Sequence, residues 1–153
     1  MTAYITYDDA DTYFLNRLHS ESWDEATSAE KTVALAEATQ RIGRLRFSGE
    51  SVDDDQELDF PRYYGDEADG TEMVPDDIKI ACSEIAFALL DGVDPDYELE
   101  SRATVSQAYS SVRISKSPLV PQDHLAAGIP SLTAWRHLMP YLASGRAIKL
   151  SRV

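Results

Sequence analysis

Residues 27–47 read TSAEKTVALAEATQRIGRLRF. Leu35, Ala38, Ile42 and Leu45 recur there at 3-4-3 spacing, which puts them on one stripe of an α-helix. Thr27 or Ser28 can cap its first turn, where Glu30 and Lys31 follow. Arg41, Arg44 and Arg46 load the far end, where cations suit the negative end of the helix dipole. Gly43 is expected to weaken the interior by about 1 kcal/mol relative to Ala while allowing close packing.

A second stretch, VPDDIKIACSEIAFALLDG at 74–92, repeats the pattern. Ile78, Cys82, Ile85 and Leu89 share a stripe, Pro75 or Asp76 opens the helix and Gly92 stops it. Two narrow, alanine-rich stripes predict a close antiparallel pair that buries Leu35, Ile42, Ile78, Ile85 and Leu89. Around this pair the remaining chain is lighter. TYDDADTYFLNRLHS predicts a helix capped by Thr6, with Ala10, Tyr13, Phe14 and Leu18 inward. DPDYELESR reads as an acidic link, and ATVSQAYSSVRIS as a strand or hairpin arm. KSPLVPQDHLAAGIP reads as extended. Ser131 caps a last helix with Leu132, Trp135, Leu138 and Leu142 on one side, which Pro140 kinks or ends. The fold class expected is mainly α, a small helical bundle with a short β hairpin or arm and an extended C-terminal segment.

The charge is divided unevenly. Residues 1–100 carry 26 acidic and 7 basic side chains, a balance of −19; residues 101–153 carry 1 and 7, a balance of +6. A single domain in two parts is expected: an acidic helical body at 1–100 with a long loop at 47–74, and a basic C-terminal arm at 101–153 with short strands and a terminal helix. The arm either folds back on its own body or reaches another molecule. No apolar run approaches the roughly 18 residues of a membrane span, so no membrane partner is expected. The N-terminus does not read as a signal peptide, and the single Cys82 excludes an intramolecular disulfide and suits a reducing cytoplasm.

Chemistry-bearing motifs are scarce. His19, His124 and His137 have no second ligand at helical spacing, so no metal is expected. There is no G-x-S-x-G elbow, phosphate loop or dinucleotide fingerprint, and no cofactor is expected. Cys82 sits on an apolar stripe, as a small hydrophobe would. DEADG at 66–70 resembles part of a calcium loop but lacks its alternating oxygen ligands. The chain therefore reads as no enzyme, with no catalytic residues. The acidic body opposes phosphate binding, whereas Tyr109, Trp135 and Tyr141 in the basic third have rings that can stack on bases.

The order YITYDDADTYF, ALAEATQRIGRLRFSG, QELDFPR, VPDDIKIACSEIAFALLDG, SQAYSSVRIS and a Trp-containing helix resembles the head-tail connector, or neck adaptor, proteins of tailed bacteriophages. The resemblance spans nearly the whole chain. It implies a homo-oligomeric ring, typically twelvefold, assembled in the host cytoplasm and placed at the virion neck. The ring would join the portal protein to a stopper or tail protein, and DNA would pass through it without specific binding. On this reading Arg113, Lys116, Arg146, Ile148, Lys149, Leu150, Arg152 and Val153 form the partner interface. Leu58, Phe60, Pro61 and Arg62 anchor the long loop to the helix pair. The alternative is a single-stranded-DNA-binding, primosomal-like module that uses the basic C-terminal third.

Overall fold

A computed structural model of the chain describes residues 2–64, 74–103, 106–109, 112–115 and 123–143. It is mainly helical with a small antiparallel hairpin. The helices are α1 (Tyr7–Phe14), α2 (Glu21–Asp24), α3 (Ser28–Ile42), α4 (Asp76–Leu90), α5 (Pro95–Ala103), α6 (Asp123–Ala126) and α7 (Leu132–Leu138), the last followed by a 3-10 turn at Met139–Tyr141. Two-residue strands β1 (Glu50–Ser51) and β2 (Arg62–Tyr63) pair antiparallel, as do β3 (Ser106–Tyr109) and β4 (Val112–Ser115).

The α3–α4 pair is the centre of the molecule. Thr27 caps α3 reciprocally: its hydroxyl accepts from the Glu30 amide at 3.3 Å, and Glu30 Oε2 accepts from the Thr27 amide at 2.8 Å. Ala34, Leu35, Ala38 and Ile42 of α3 join Ile78, Ala81, Cys82, Ile85 and Ala86 of α4 in one buried cluster. The alanines let the two backbones approach, and each Leu or Ile removed from water is worth about 1.5–3 kcal/mol. Thr39 is the polar node of this contact. Its hydroxyl donates to the Leu35 carbonyl at 2.9 Å, accepts from the Tyr4 amide at 3.2 Å and lies 3.4 Å from Cys82 Sγ. Burial pushes the Cys82 thiol up to about 11, so it is protonated and inert at neutral pH.

Several local expectations are corrected. Leu89 is only half-buried, because α4 reaches the edge of the core one turn before it ends. Gly43 does not lie inside α3; it is the C-cap, in ordinary right-handed conformation. Helix α1 stops at Phe14, so Leu18 leaves the inward stripe and stands 81% exposed, while Ala10 and Phe14 are buried. Residues 95–103 are not a link but α5: Asp94 Oδ1 accepts from the amides of Asp96 and Tyr97, and Pro95 supplies the fixed φ of a first turn. The stretch read as extended contains α6, whose His124 and Leu125 are buried. In α7 the inward residues are Ala134 and Leu138, with Leu132 exposed, because the helix presents its small residue to α4.

Candidate nucleic-acid interface

The chain leaves α3 through Arg44, Leu45 and Arg46, and the next sixteen residues form a closed loop. Phe60 holds it. Its ring is buried, edge-on to Phe47 at 4.7 Å, Tyr4 at 6.0 Å and Tyr141 at 6.0 Å. Leu58 packs against the same core half-buried, and the Phe60–Pro61 peptide is cis. Arg62 serves the backbone: Nε donates to the Ser48 carbonyl at 2.9 Å, Nη2 to that of Gly49 at 2.8 Å and Nη1 to that of Asp59 at 3.2 Å. Its carboxylate contact, Asp59 Oδ1, is longer at 3.9 Å. Gly49 takes φ +76°, and a β-carbon there would stand 2.1 Å from the Tyr63 carbonyl oxygen, so no larger residue fits.

Two exposed cations border this loop. Arg44 and Arg46 make no ion pair or side-chain hydrogen bond among the described residues. Arg41 is engaged by contrast, reaching Glu37 at 2.9 Å and the Gly128 carbonyl at 2.8 Å. The C-terminal part of the chain comes alongside. Phe47 pairs with Leu142 in an antiparallel bridge, Ser48 N donates to Tyr141 O, and Ala143 N donates to Arg46 O, both at 2.9 Å. Tyr141 therefore stands beside the arginine end of α3. It is edge-on to Tyr64 at 5.8 Å, and Tyr64 is 41% exposed. A relay of ring edges thus runs from buried Phe60 to the surface at Tyr64.

The electrostatics of this ledge are mixed. Arg44 lines a groove of about 320 Å³ with Tyr4, Gly43, Glu57 and Asp59, so acids flank it on one side. Burial raises the Asp59 carboxyl, an effect that Arg62 partly offsets. Asp77, at the start of α4, accepts from Tyr141 Oη at 3.2 Å and lies 2.8 Å from His137 Nδ1. Desolvation, and then this carboxylate, raise the Tyr141 phenol, and burial pushes Tyr64 up to about 12. Both rings are neutral at physiological pH. Among the described residues no group of three or more His, Cys, Asp or Glu is placed to hold a metal ion.

The ledge is not the site read from the sequence. Lys116, Arg146, Ile148, Lys149, Leu150, Arg152 and Val153 lie outside the described residues, and Arg113 is described only as part of β4. Of the aromatic candidates, Tyr141 joins the ledge, Trp135 packs half-buried against the core, and Tyr109 is described only as part of β3. In the sequence Arg44 and Arg46 have the pattern of helix-end charges, and Tyr64 stands in no motif. The signal lay in RIGRLR: once α3 ends at Ile42, two of its three arginines fall beyond the helix.

Residues 1–115 match the protein family described as "Putative DnaT-like ssDNA binding protein". No curated protein and no solved structure matches the chain. The family match overturns the head-tail connector resemblance, and with it the neck ring, the portal binding and the part in DNA ejection. The motifs behind that resemblance have a structural content that many small helical proteins can share. A-T-x-R-I-x-R-L is a helix end with an inward stripe, L-x-F-P-R an apolar loop anchor and P-x-x-I-K-x-A a helix start.

Proposed function

We propose, because the chain belongs to the DnaT-like ssDNA binding protein family, that it binds single-stranded DNA and does so at the ledge formed by Arg44, Arg46, Tyr64 and Tyr141. The observation that carries this reading is that two exposed arginines without ion pairs among the described residues border a loop whose far end bears the exposed ring of Tyr64. Cations hold a phosphate backbone, and a ring accepts a base of any sequence on its face. The surrounding acids make the contact local. A chain of net charge −13 repels DNA at long range, so recognition falls to the few residues that touch the strand. The role is one of binding rather than catalysis.

The test is fluorescence anisotropy with a labelled oligo-dT strand of about twenty nucleotides, long enough for one binding footprint. Two phosphate contacts give a log–log salt slope of roughly −1.4. Arg44→Glu with Arg46→Glu abolishes that slope, and Tyr64→Ala weakens binding by about 1–3 kcal/mol at every salt concentration. Equal binding by all three proteins removes the ledge from the function. Failure of the native chain to bind at 50 mM salt, about the lower end of the range in which such contacts are usually compared, removes the function itself.

A further inference from the structure

The groove beside Arg44 holds two polar groups that the fold leaves unmatched. Its volume of about 320 Å³ lies at the small end of the range of ligand pockets, roughly 300–1,000 Å³. Tyr4 lines it, is 6% exposed, and has a buried Oη with no hydrogen-bond partner among the described residues. A buried phenol ordinarily finds one. The amides of Asp59 and Phe60 face this oxygen without completing a hydrogen bond, so the hydroxyl proton is the group left over. Burial, and then the charge of Asp59, raise the Tyr4 phenol, which therefore keeps that proton to donate.

The second group is the Asp59 carboxylate. It lines the same groove half-buried and makes no hydrogen bond among the described residues; the Arg62 contact, at 3.9 Å, is too long for one. Gly43 keeps the space before it open. Its φ of −64° is one that any residue adopts, so the backbone does not require glycine there, and a β-carbon would stand 3.7 Å from Asp59 Oδ2. Glu57, also on the groove, is exposed and its carboxylate already accepts from the Thr2 hydroxyl at 3.0 Å. A matching ligand offers two adjacent N–H groups to Asp59 and an acceptor to Tyr4. Among the DNA bases only guanine has that edge, with N1–H and the 2-amino group side by side and O6 next to them. Thymine offers one N–H between two carbonyls, and adenine and cytosine one amino group beside a bare ring nitrogen.

We propose that this groove takes one guanine base of the bound strand, with the Asp59 carboxylate accepting from N1–H and the 2-amino group, the Tyr4 hydroxyl donating to O6 and Arg44 holding the adjoining phosphate. The choice of a nucleobase as occupant rests on the single-stranded-DNA reading. The acid beside Arg44, which on a bare phosphate track only repels, becomes the reader of the base.

The full chain tests this by anisotropy with labelled strands of about twenty nucleotides. Oligo-dT is compared with thymine strands in which every fourth base is guanine or hypoxanthine, which lacks the 2-amino group. The guanine strand is expected to bind at least about fivefold more tightly than oligo-dT, the ratio a bidentate base contact supplies, and hypoxanthine to lose most of that gain. Asp59→Asn keeps the shape but not the paired acceptors and brings the ratio to about one. Gly43→Ala narrows the groove without backbone strain and lowers the ratio, whereas Glu57→Gln, which removes a neighbouring charge, leaves it. In parallel, dGMP is titrated by NMR and is expected to shift the Gly43 amide, where dTMP does not. Equal affinity for the guanine strand and oligo-dT overturns the proposal and leaves the ledge standing. So does a preference that survives Asp59→Asn, or one that Glu57→Gln abolishes as fully. Binding of no strand, with the Gly43 amide still shifted by dGMP, removes the ledge and keeps the guanine groove; without that shift both fall.

Discussion

Arg17 Nε lies 2.7 Å from Oε1 of Glu84, a carboxylate whose side chain is 3% exposed in the middle of α4. The guanidinium closes the pair with a second bond, Nη2 to Oε2 at 3.1 Å, and lies 4.2 Å above the Phe87 ring. Tyr13 Oη donates to the same Oε1 at 2.6 Å. A charge taken out of water is stable only with such partners. Arg17→Met leaves Glu84 buried without its cation and is expected to cost about 3–5 kcal/mol in urea unfolding. Arg17→Met combined with Glu84→Met removes both charges and recovers much of that loss. A single-variant cost below about 0.5 kcal/mol, the range of surface sites, would show that Glu84 is satisfied without Arg17.

Phe60→Ala removes a ring that touches three others. The expected loss is about 3–5 kcal/mol, the usual range for a buried aromatic. Limited proteolysis then cuts within 48–64 before the helices open. Cleavage at the native rate would mean that Leu58 and Arg62 hold the loop by themselves.

Gly49→Ala tests the same loop through its backbone. The added carbon meets a carbonyl oxygen, not a movable side chain, and the φ is left-handed. Strain of about 1–3 kcal/mol is expected, along with a loosened β1–β2 pair. Hydrogen exchange at Val52, whose amide donates to the Pro61 carbonyl, reports it. Gly92 is the control, because a β-carbon there meets nothing within 4 Å although its φ is also positive.

Asp11 gives a pH signature. Burial acts to raise its carboxyl, but hydrogen bonds from Lys31 Nζ and Trp23 Nε1, each 2.7 Å, hold it below its ordinary value of 3.8. A depressed carboxyl contributes stability that is present above the unfolded value and is lost as pH falls through the folded one. Asp11→Asn is therefore expected to destabilise the chain at pH 7. The difference from the native protein should shrink as pH drops below 3.8. A difference that stays constant over that range would assign the effect to packing of the amide.

How far the sequence speaks depends on how local the signal is. The α3–α4 pair was legible because its stripes repeat over four turns and its caps are chemical: Thr27 with Glu30 at one start, Pro75 at the other. Phe60 is legible as an anchor because it and Leu58 are large apolar residues in a stretch dense with Asp and Glu. Short elements were not legible, since α6 has four residues, too few for a period to show. In α5 the acids that suggested a solvated link in fact occupy the positive end of a helix dipole. The ledge was hidden for another reason. Tyr64 and Tyr141 are 77 positions apart, and only the Phe47–Leu142 bridge brings the second ring to the loop that bears the first. No window on the sequence contains both.

The long connection between the two central helices also bears on speed. Residues 43–75 separate α3 from α4, so the core cannot form until that 33-residue circuit closes. The entropy of closure rises slowly with length, about 0.6 kcal/mol per doubling, but it opposes the encounter before any core contact can reward it. Phe60 divides the circuit. A contact between its ring and Phe47 leaves 43–47 and 60–75, 21 of the 33 residues, still to close, so the loop's anchor shortens the circuit between α3 and α4 by about a third.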